Sequence, residues 1–341
     1  MAKKTRTPEE TSVDPSVIKL LHHAHECGYD TSFFRADAMT PCPIGSKGVC
    51  CSTCSMGPCR LIKDEQVGVC GATQDTVVAR NFARMVAGGS ASHSDHGRDL
   101  AYTLVAAAEG NAPDYVIRDP VKLGEVADYL GVSRADKSIK ELALAVGEAA
   151  LHEFGKSRGV LTYLKRAPKR RQEIWHKQGI EPRSIDREIV EIMHRTHVGN
   201  DQDAEHILDH ALRCALSDGW GGSMLATDIT DILFGTPGPV TAVSNLGVLS
   251  DDHVNIIIHG HEPTLSEMIV AATLDPEMIE FARSTGAKGI NLTGVCCTAN
   301  ETLMRQGVPL AGNFLQQELA ILTGAVEAMV VDIQCIMQGL V

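Results

Sequence analysis

The sequence lacks any apolar run of about 18 residues, so it offers no stretch able to cross a bilayer as a helix. No secretory signal pattern appears at its start either, because Met1–Glu10 is charged and bears a proline where such a pattern is apolar. A cytoplasmic location is the expectation, and reduced thiols are at home there. Positive charge is in deficit: 31 Lys and Arg stand against 43 Asp and Glu, a formal net charge of -12, which argues against nucleic acid as a main partner. One basic run interrupts the acidity, Lys165, Arg166, Lys169, Arg170 and Arg171 around Pro168. It reads as a solvated helix end, with docking of an acidic partner as the alternative. No short internal repeat or low-complexity segment stands out. Apolar side chains are plentiful at 44%, enough to build proper cores for about two domains in 341 residues.

Cysteine is plentiful too, and it is clustered. Six of eleven cysteines, Cys42, Cys50, Cys51, Cys54, Cys59 and Cys70, fall in PCPIGSKGVCCSTCSMGPCRLIKDEQVGVCGA, residues 41–72, among glycines and prolines that describe a loop wrapped around something compact. Neighbours such as Cys50 and Cys51 point apart in extended backbone, so they suit two different sites better than one disulfide or one metal. Cys51, Cys54, Cys59 and Cys70 then form a four-thiolate set at the short spacing of an iron–sulfur cluster. Cys42 and Cys50 remain as a pair, and a pair is half of a cluster lying on the two-fold axis of a symmetric dimer. A structural zinc at the four-cysteine set is the alternative, but its gaps of four and ten residues fit paired CxxC zinc layouts poorly. A secreted disulfide framework fits less well still.

Along the chain, a helix is expected from about Pro15 to Cys27, with Cys27 as a small core residue. Gln74–Ala87 reads as a helix stopped by Gly88 and Gly89, and a second runs from Ser92 to Glu109. Further helices are expected near 120–130, 136–157, 184–195, 201–216 and 223–234, from apolar residues three and four apart. Cys214 falls among them as a buried thiol. Near Gly235–Pro239 the pattern changes. Strands are expected at Asn255–Ile258, Gly289–Leu292 and Met329–Ile333, with a short VPLAG element, and helices over 264–285, 298–306 and 316–328. The expected domains are therefore a helical one over 1–236 and a partial Rossmann-like one over 237–341, an α plus α/β chain. Strands alternating with helices imply a parallel, doubly wound sheet, whose ligands bind beyond the carboxyl ends of the strands. There stand His259 and His261 after the first strand, Cys296 and Cys297 after the second, and Cys335 after the third. A lone buried cysteine is usually packing. Three strand ends that each offer a soft or imidazole ligand point to a site for iron, nickel or zinc.

The motifs CCSTCSMGPCR and GVCGA, then HSDHGRD, HGHEP, GVCCTANE and VDIQCIM, resemble those of the anaerobic nickel–iron carbon monoxide dehydrogenases, and the match runs across nearly the whole chain. That resemblance implies a helical domain followed by Rossmann-like domains, in a homodimer that oxidises CO with water to CO2 and passes electrons to a ferredoxin-type acceptor. By the same resemblance, Cys42 and Cys50 correspond to ligands of a cluster bridging the dimer, and Cys51, Cys54, Cys59 and Cys70 to those of a [4Fe-4S] centre in each subunit. His261 and Cys297 correspond to ligands of the active cluster's unique iron, and Cys335 to a ligand of its iron–sulfur framework. Cys296 becomes a neighbour of that nickel–iron–sulfur cluster, and His259 stands behind His261.

His93 corresponds to the histidine over bound substrate, and Asp218 in SDGWGGS to an acidic residue near the iron. His93 and His96, three apart on one helical face, begin a proton relay. The family continues that stripe with histidines, whereas Asp99 and Tyr102 stand here. The family also continues past Val341 through further cysteines and a lysine that complete the active cluster, so the chain as given is expected to be incomplete for catalysis, either as a fragment or as a natural short form. Two other readings stay open: a non-catalytic iron–sulfur electron-transfer or scaffold dimer, and a relative of the hybrid-cluster hydroxylamine reductases. HGHEP followed by GVCC, and the Cys42/Cys50 pair, speak against the latter.

Overall fold

The fold was taken from a computed structural model, which describes residues 5–198 and 200–340. Packing divides these residues into two units. One joins residues 5–40 to 237–340, and the other spans 41–236. Residues 5–40, expected to belong with the helices, thus pack with the sheet. The reason lies in the Pro15–Cys27 helix, which buries Val17 and Leu21 in the same core as Ile257, Val295, Ala311 and Leu319. Its Cys27 is exposed, with Sγ 3.7 Å from His23 Nδ1, and is no core residue, because the buried stripe runs through Val17, Leu21 and Ala24.

The unit over 41–236 is built on one long helix, Gln74–Glu109. Thr73 caps its start by accepting from Thr76 N, and left-handed Gly110 ends it. The break expected at Gly88 and Gly89 does not occur. Two glycines cost roughly 1 kcal/mol each in a helix interior, but Ala79, Ala83 and Ala87 pack with Ile192, Ile207 and Ala211 across this stretch and outweigh that cost. Helices Pro120–Leu130, Ile139–Gly155, Ile185–Arg195, Ala204–Ser217 and Met224–Phe234 complete the unit close to their expected positions. A further helix, Lys169–Gln178, carries the end of the basic run. Arg166 is not solvated as expected: its Nε and Nη2 donate to both oxygens of buried Asp228, at 2.6 and 3.0 Å. Ahead of the long helix, the cysteine loop forms a small antiparallel pair, β1 (Cys50–Cys51) and β2 (Cys59–Arg60).

The other unit holds a four-stranded parallel sheet: β3 (Val254–Gly260), β4 (Ile290–Val295), β5 (Leu310–Gly312) and β6 (Val326–Val331), in the order β5-β4-β3-β6. The chain leaves β3 toward one edge and returns to β3's other side for β6. That reversal is the topological switch point of a doubly wound sheet, where ligands bind. Helices Pro263–Thr273 and Pro276–Ser284 replace the single one expected over 264–285. Asp275 caps the second, and Pro276 has no N–H with which to continue the first. The helix expected over 316–328 is shorter, Gln317–Leu322, because Gly324 turns left-handed (φ 70°) and Val326 already pairs with β3. Among the described residues no helix is long and apolar enough to cross a membrane.

Candidate metal centres

All eleven cysteines are free thiols. In the cysteine loop, Cys51 turns into a core of Val49, Leu61, Ala72 and Val77, while its neighbour Cys50 stays half-buried. The two face opposite ways, as extended backbone dictates. Cys51 is in register with Cys59, so the hairpin draws these two together on either side of a turn that carries Cys54. Gly57 sits inside that turn, where a Cβ would lie 3.0 Å from the Cys51 carbonyl oxygen. Asn81, on the long helix, donates through Nδ2 to the carbonyls of Gly48 (2.8 Å) and Cys50 (3.0 Å), pinning the loop to the helix. Backbone N–H groups of Gly45 and then Ile44 lower the Cys42 thiol, and Gly45 N lies 3.3 Å from its sulfur. The Ala72 N–H and the nearby Arg80 likewise lower Cys70. Thiols tuned toward thiolate in an unbridged loop are the donor chemistry an iron–sulfur cluster takes. Among the described residues no three His, Cys, Asp or Glu side chains converge as ligands on a single ion. The four thiolates of a cubic cluster each bond a different iron, so they need no common point.

At the carboxyl edge of the sheet, β3, β4 and β6 end within one neighbourhood. His259 pairs in register with Val295 and with Val331, and Gly260 bridges to Cys296. Asp332 closes the arrangement. Its Oδ1 accepts from His261 N (2.6 Å) and its Oδ2 from Glu262 N (3.1 Å), which ties the end of β6 to the loop after β3. Gly260 has φ 140°, and a Cβ there would lie 1.6 Å from Asp332 Oδ1, so only glycine fits. Cys296 has φ 70°, and Gln334 and Cys335 are left-handed as well. Such strain in non-glycine residues gathers where the surroundings hold a special geometry. Burial, then the nearby Cys335 and Cys297, push Cys296 up to about 12, and burial followed by Cys335 raises Cys297. His259 is buried. Its Nε2 lies 3.0 Å from Gln317 Oε1, while Gln317 also takes Met337 N at 2.8 Å and donates to Cys335 O at 3.1 Å. Gln317 and Asp332 therefore order the ligand loops, and neither stood out in the sequence. Asp332 lies inside VDIQC, but its role depends on a neighbour 71 positions away.

In the helical unit, a π-helical stretch Asp218–Ser223 interrupts the passage from Ala204–Ser217 to Met224–Phe234. Such bulges re-aim side chains and mark functional positions. Here the bulge presents Asp218 Oδ1 to His93 Nδ1 at 2.8 Å, with Ser223 Oγ 3.1 Å from the same nitrogen. The hydrogen bond from Asp218 raises the His93 pKa, against the opposing effect of burial. Gly97, one turn further on, permits the close approach, since a Cβ would meet the Gly222 carbonyl at 3.0 Å. His93 and Asp218 are thus brought together although 125 residues apart. His96 is buried on the same helix, whereas Tyr102 is exposed. Cys214 is buried against Ser90 and pushed up to about 11 by burial, an inert packing thiol.

Residues 49–341 match the Prismane/CO dehydrogenase family, and the chain belongs to that family. It is 55% identical to carbon monoxide dehydrogenase 1 of Methanosarcina mazei, over 99% of this chain and 54% of that protein. It is 46% identical to carbon monoxide dehydrogenase 1 of Carboxydothermus hydrogenoformans, over 97% of this chain and 53% of that protein. The crystal structure of carbon monoxide dehydrogenase from Thermococcus sp. AM4, as isolated and free of nickel, superposes with a TM-score of 0.94 at 48% identity, over 99% of this chain and 54% of that one. The chain spans about half the length of the curated relatives it matches.

Proposed function

We propose that this chain serves the oxidation of CO with water to CO2, two protons and two electrons, in a homodimer that hands the electrons to a ferredoxin-type acceptor. The observation that carries the reading is the combination, in one chain, of a four-thiol loop with a His–Cys set gathered on three parallel strand ends. Cys51, Cys54, Cys59 and Cys70 would hold a [4Fe-4S] centre, and Cys42 and Cys50 half of a cluster shared by two subunits. His261, Cys297 and Cys335 would hold part of a nickel–iron–sulfur cluster, beside Cys296. When bound, that group supplies Lewis acidity, which polarises a carbonyl and lowers the pKa of a bound water, and a store for electrons. The chain's own part is positional and acid–base. Asp218 and Ser223 hold His93 by Nδ1, which supports proton exchange at this imidazole, and His96 one turn on would continue the relay. The HGHEP and GVCC elements and the Cys42/Cys50 pair favour this reading over a hydroxylamine reductase.

The dimer has its own support. Val78, Phe82 and Met85 form an exposed apolar stripe on the long helix, 40%, 51% and 76% accessible, beside the Gly48 turn of the cysteine loop. A stripe of that kind is the mark of an interface. Elemental analysis tests the whole: nickel, iron and sulfide in the full-length protein fit the enzyme, whereas iron and sulfide without nickel fit a scaffold dimer. Changing Cys42 and Cys50 together to serine should remove one cluster per dimer and spare the Cys51–Cys70 centre. An unchanged iron count would sink the shared-cluster assignment.

A further inference from the structure

Arg80 is the largest fully buried side chain of the molecule, 1% exposed, and lies on the long helix just behind the cysteine loop. A guanidinium keeps its proton at any ordinary pH, so this is a permanent charge taken out of water. Buried charges are paired or strongly destabilising. Other arginines of the same unit obey that rule: Arg98 pairs with Asp186, Arg166 with Asp228, and Arg183 and Arg213 with Glu188. Arg80 has no carboxylate partner among the described residues. Its Nη2 donates to the Asp201 carbonyl at 3.1 Å, while the Asp201 carboxylate turns to Arg195, 3.5 Å away. Its Nε has no partner, and its Nη1 points at Cys70 Sγ, 3.9 Å away.

We propose that Arg80 is the built-in counter-charge of the iron–sulfur centre held by Cys51, Cys54, Cys59 and Cys70, and that it raises the reduction potential of that centre. The proposal rests on the ligand assignment given above. A cubic cluster with four thiolates is a dianion when oxidised and a trianion when reduced, so one electron enters, no bond forms or breaks, and the charge grows by one. A cation fixed beside one sulfur stabilises the trianion more than the dianion, and the burial of Arg80 limits solvent screening on its side. Net charge and hydrogen bonds to sulfur are the levers that set such potentials. The same pairing explains how the fold tolerates a buried guanidinium without a carboxylate. It makes Arg80 a positioning and tuning residue, which no spacing in the sequence distinguished from the other arginines of the helices.

The test is an anaerobic redox titration of the holoprotein with dithionite, following the reduced centre by electron paramagnetic resonance, beside iron and sulfide analysis. Arg80→Gln should hold its cluster and move the midpoint to more negative potential by at least a tenfold shift of the equilibrium, about 59 mV for one electron. Arg80→Lys, which keeps the charge, should stay near the unsubstituted protein. If Arg80→Gln loses iron while Arg80→Lys retains it, the counter-charge role is upheld by content in place of potential. Unchanged potentials in both variants would overturn the proposal, and so would loss of iron from both, since charge would then not be the property required. Cys70→Ala serves as the control on the ligand assignment: a signal that survives it removes the assignment, and the proposal with it, for a reason separate from Arg80.

Discussion

At the scale of single residues, His93 shows how one contact sets a group's chemistry. Asp218 raises the pKa of the imidazole, so the protonated form persists to higher pH than in an unpaired histidine. Asp218→Asn keeps a hydrogen-bond acceptor of similar shape and removes the charge. In a full-length enzyme that depends on protonated His93, the alkaline limb of the kcat/KM profile should therefore move to lower pH, with turnover above that limb reduced roughly tenfold for each unit the limb moves. A limb that stays in place would separate Asp218 from proton exchange at His93. Pairing His93 with Asp218 was within reach of the motifs alone, since both lie in segments that resemble family elements. Ser223 was not, because its contact with His93 depends on the π bulge bringing residue 223 back over the long helix. Arg80 and Asp332 were unreadable for a related reason: burial without a partner, and a contact between two strand ends, are properties of the folded chain.

Among the elements, the Ile185–Arg195 helix is held by one carboxylate. Glu188 is buried and accepts from Arg183 N (2.8 Å), Arg213 Nε (2.7 Å) and His210 Nε2 (3.0 Å). Burial alone would raise its pKa, but the hydrogen bonds from His210 and Arg183 and the charge of Arg213 outweigh burial and hold the carboxyl well below its ordinary range. A folded-state pKa below the unfolded value near 4.3 gives stability that is fully present above that value and is lost progressively as pH falls from it through the lower folded-state pKa. Burial also lowers His210, so the neutral imidazole adds a loss that begins below about 6.5. Both contributions run in the same direction, toward acid lability. Glu188→Gln leaves two guanidinium groups facing a neutral amide and should destabilise the helical unit by about 3 kcal/mol at neutral pH, with a flatter acid limb, measured as the urea midpoint from neutral pH down to about pH 2. A loss under 1 kcal/mol would show that solvent screens the cluster. The helices were legible wherever apolar spacing and a Gly or Pro boundary agreed, as at Pro120–Leu130 and Ile185–Arg195. They were misread where packing overrode a local signal. Gly88 and Gly89 read as a stop, yet the alanine ridge carries the helix through them. Val326–Ala328 read as the end of a helix, ahead of a strand from Met329, yet pairing with β3 makes all of Val326–Val331 a strand.

For the whole molecule, the parallel sheet was the most legible feature, because strands such as NIII are short, apolar and followed at once by polar residues. The association of residues 5–40 with the sheet was not, since nothing in an amphipathic helix says which core receives its apolar face. The sheet unit brings His261, Cys297 and Cys335 to one edge, with Cys296 turned into the core. The relatives it matches are about twice as long. On the assignment proposed above, His261, Cys297 and Cys335 supply only part of the ligands of a nickel–iron–sulfur cluster, whereas every ligand assigned to the two amino-terminal clusters lies within residues 42–70. Strand β6 lies at one edge of the sheet, with Val331 and nearby Ile333 exposed at 44% and 40%, an invitation to pair with other chains. Expressed as these 341 residues alone and matured anaerobically with nickel, the chain should show iron–sulfur absorbance, a tendency to aggregate, and no CO-dependent reduction of viologen. Sustained viologen reduction by that material, free of any longer subunit, would mean that the donors gathered at the sheet edge suffice for the active cluster and that the ligand assignment proposed here is incomplete.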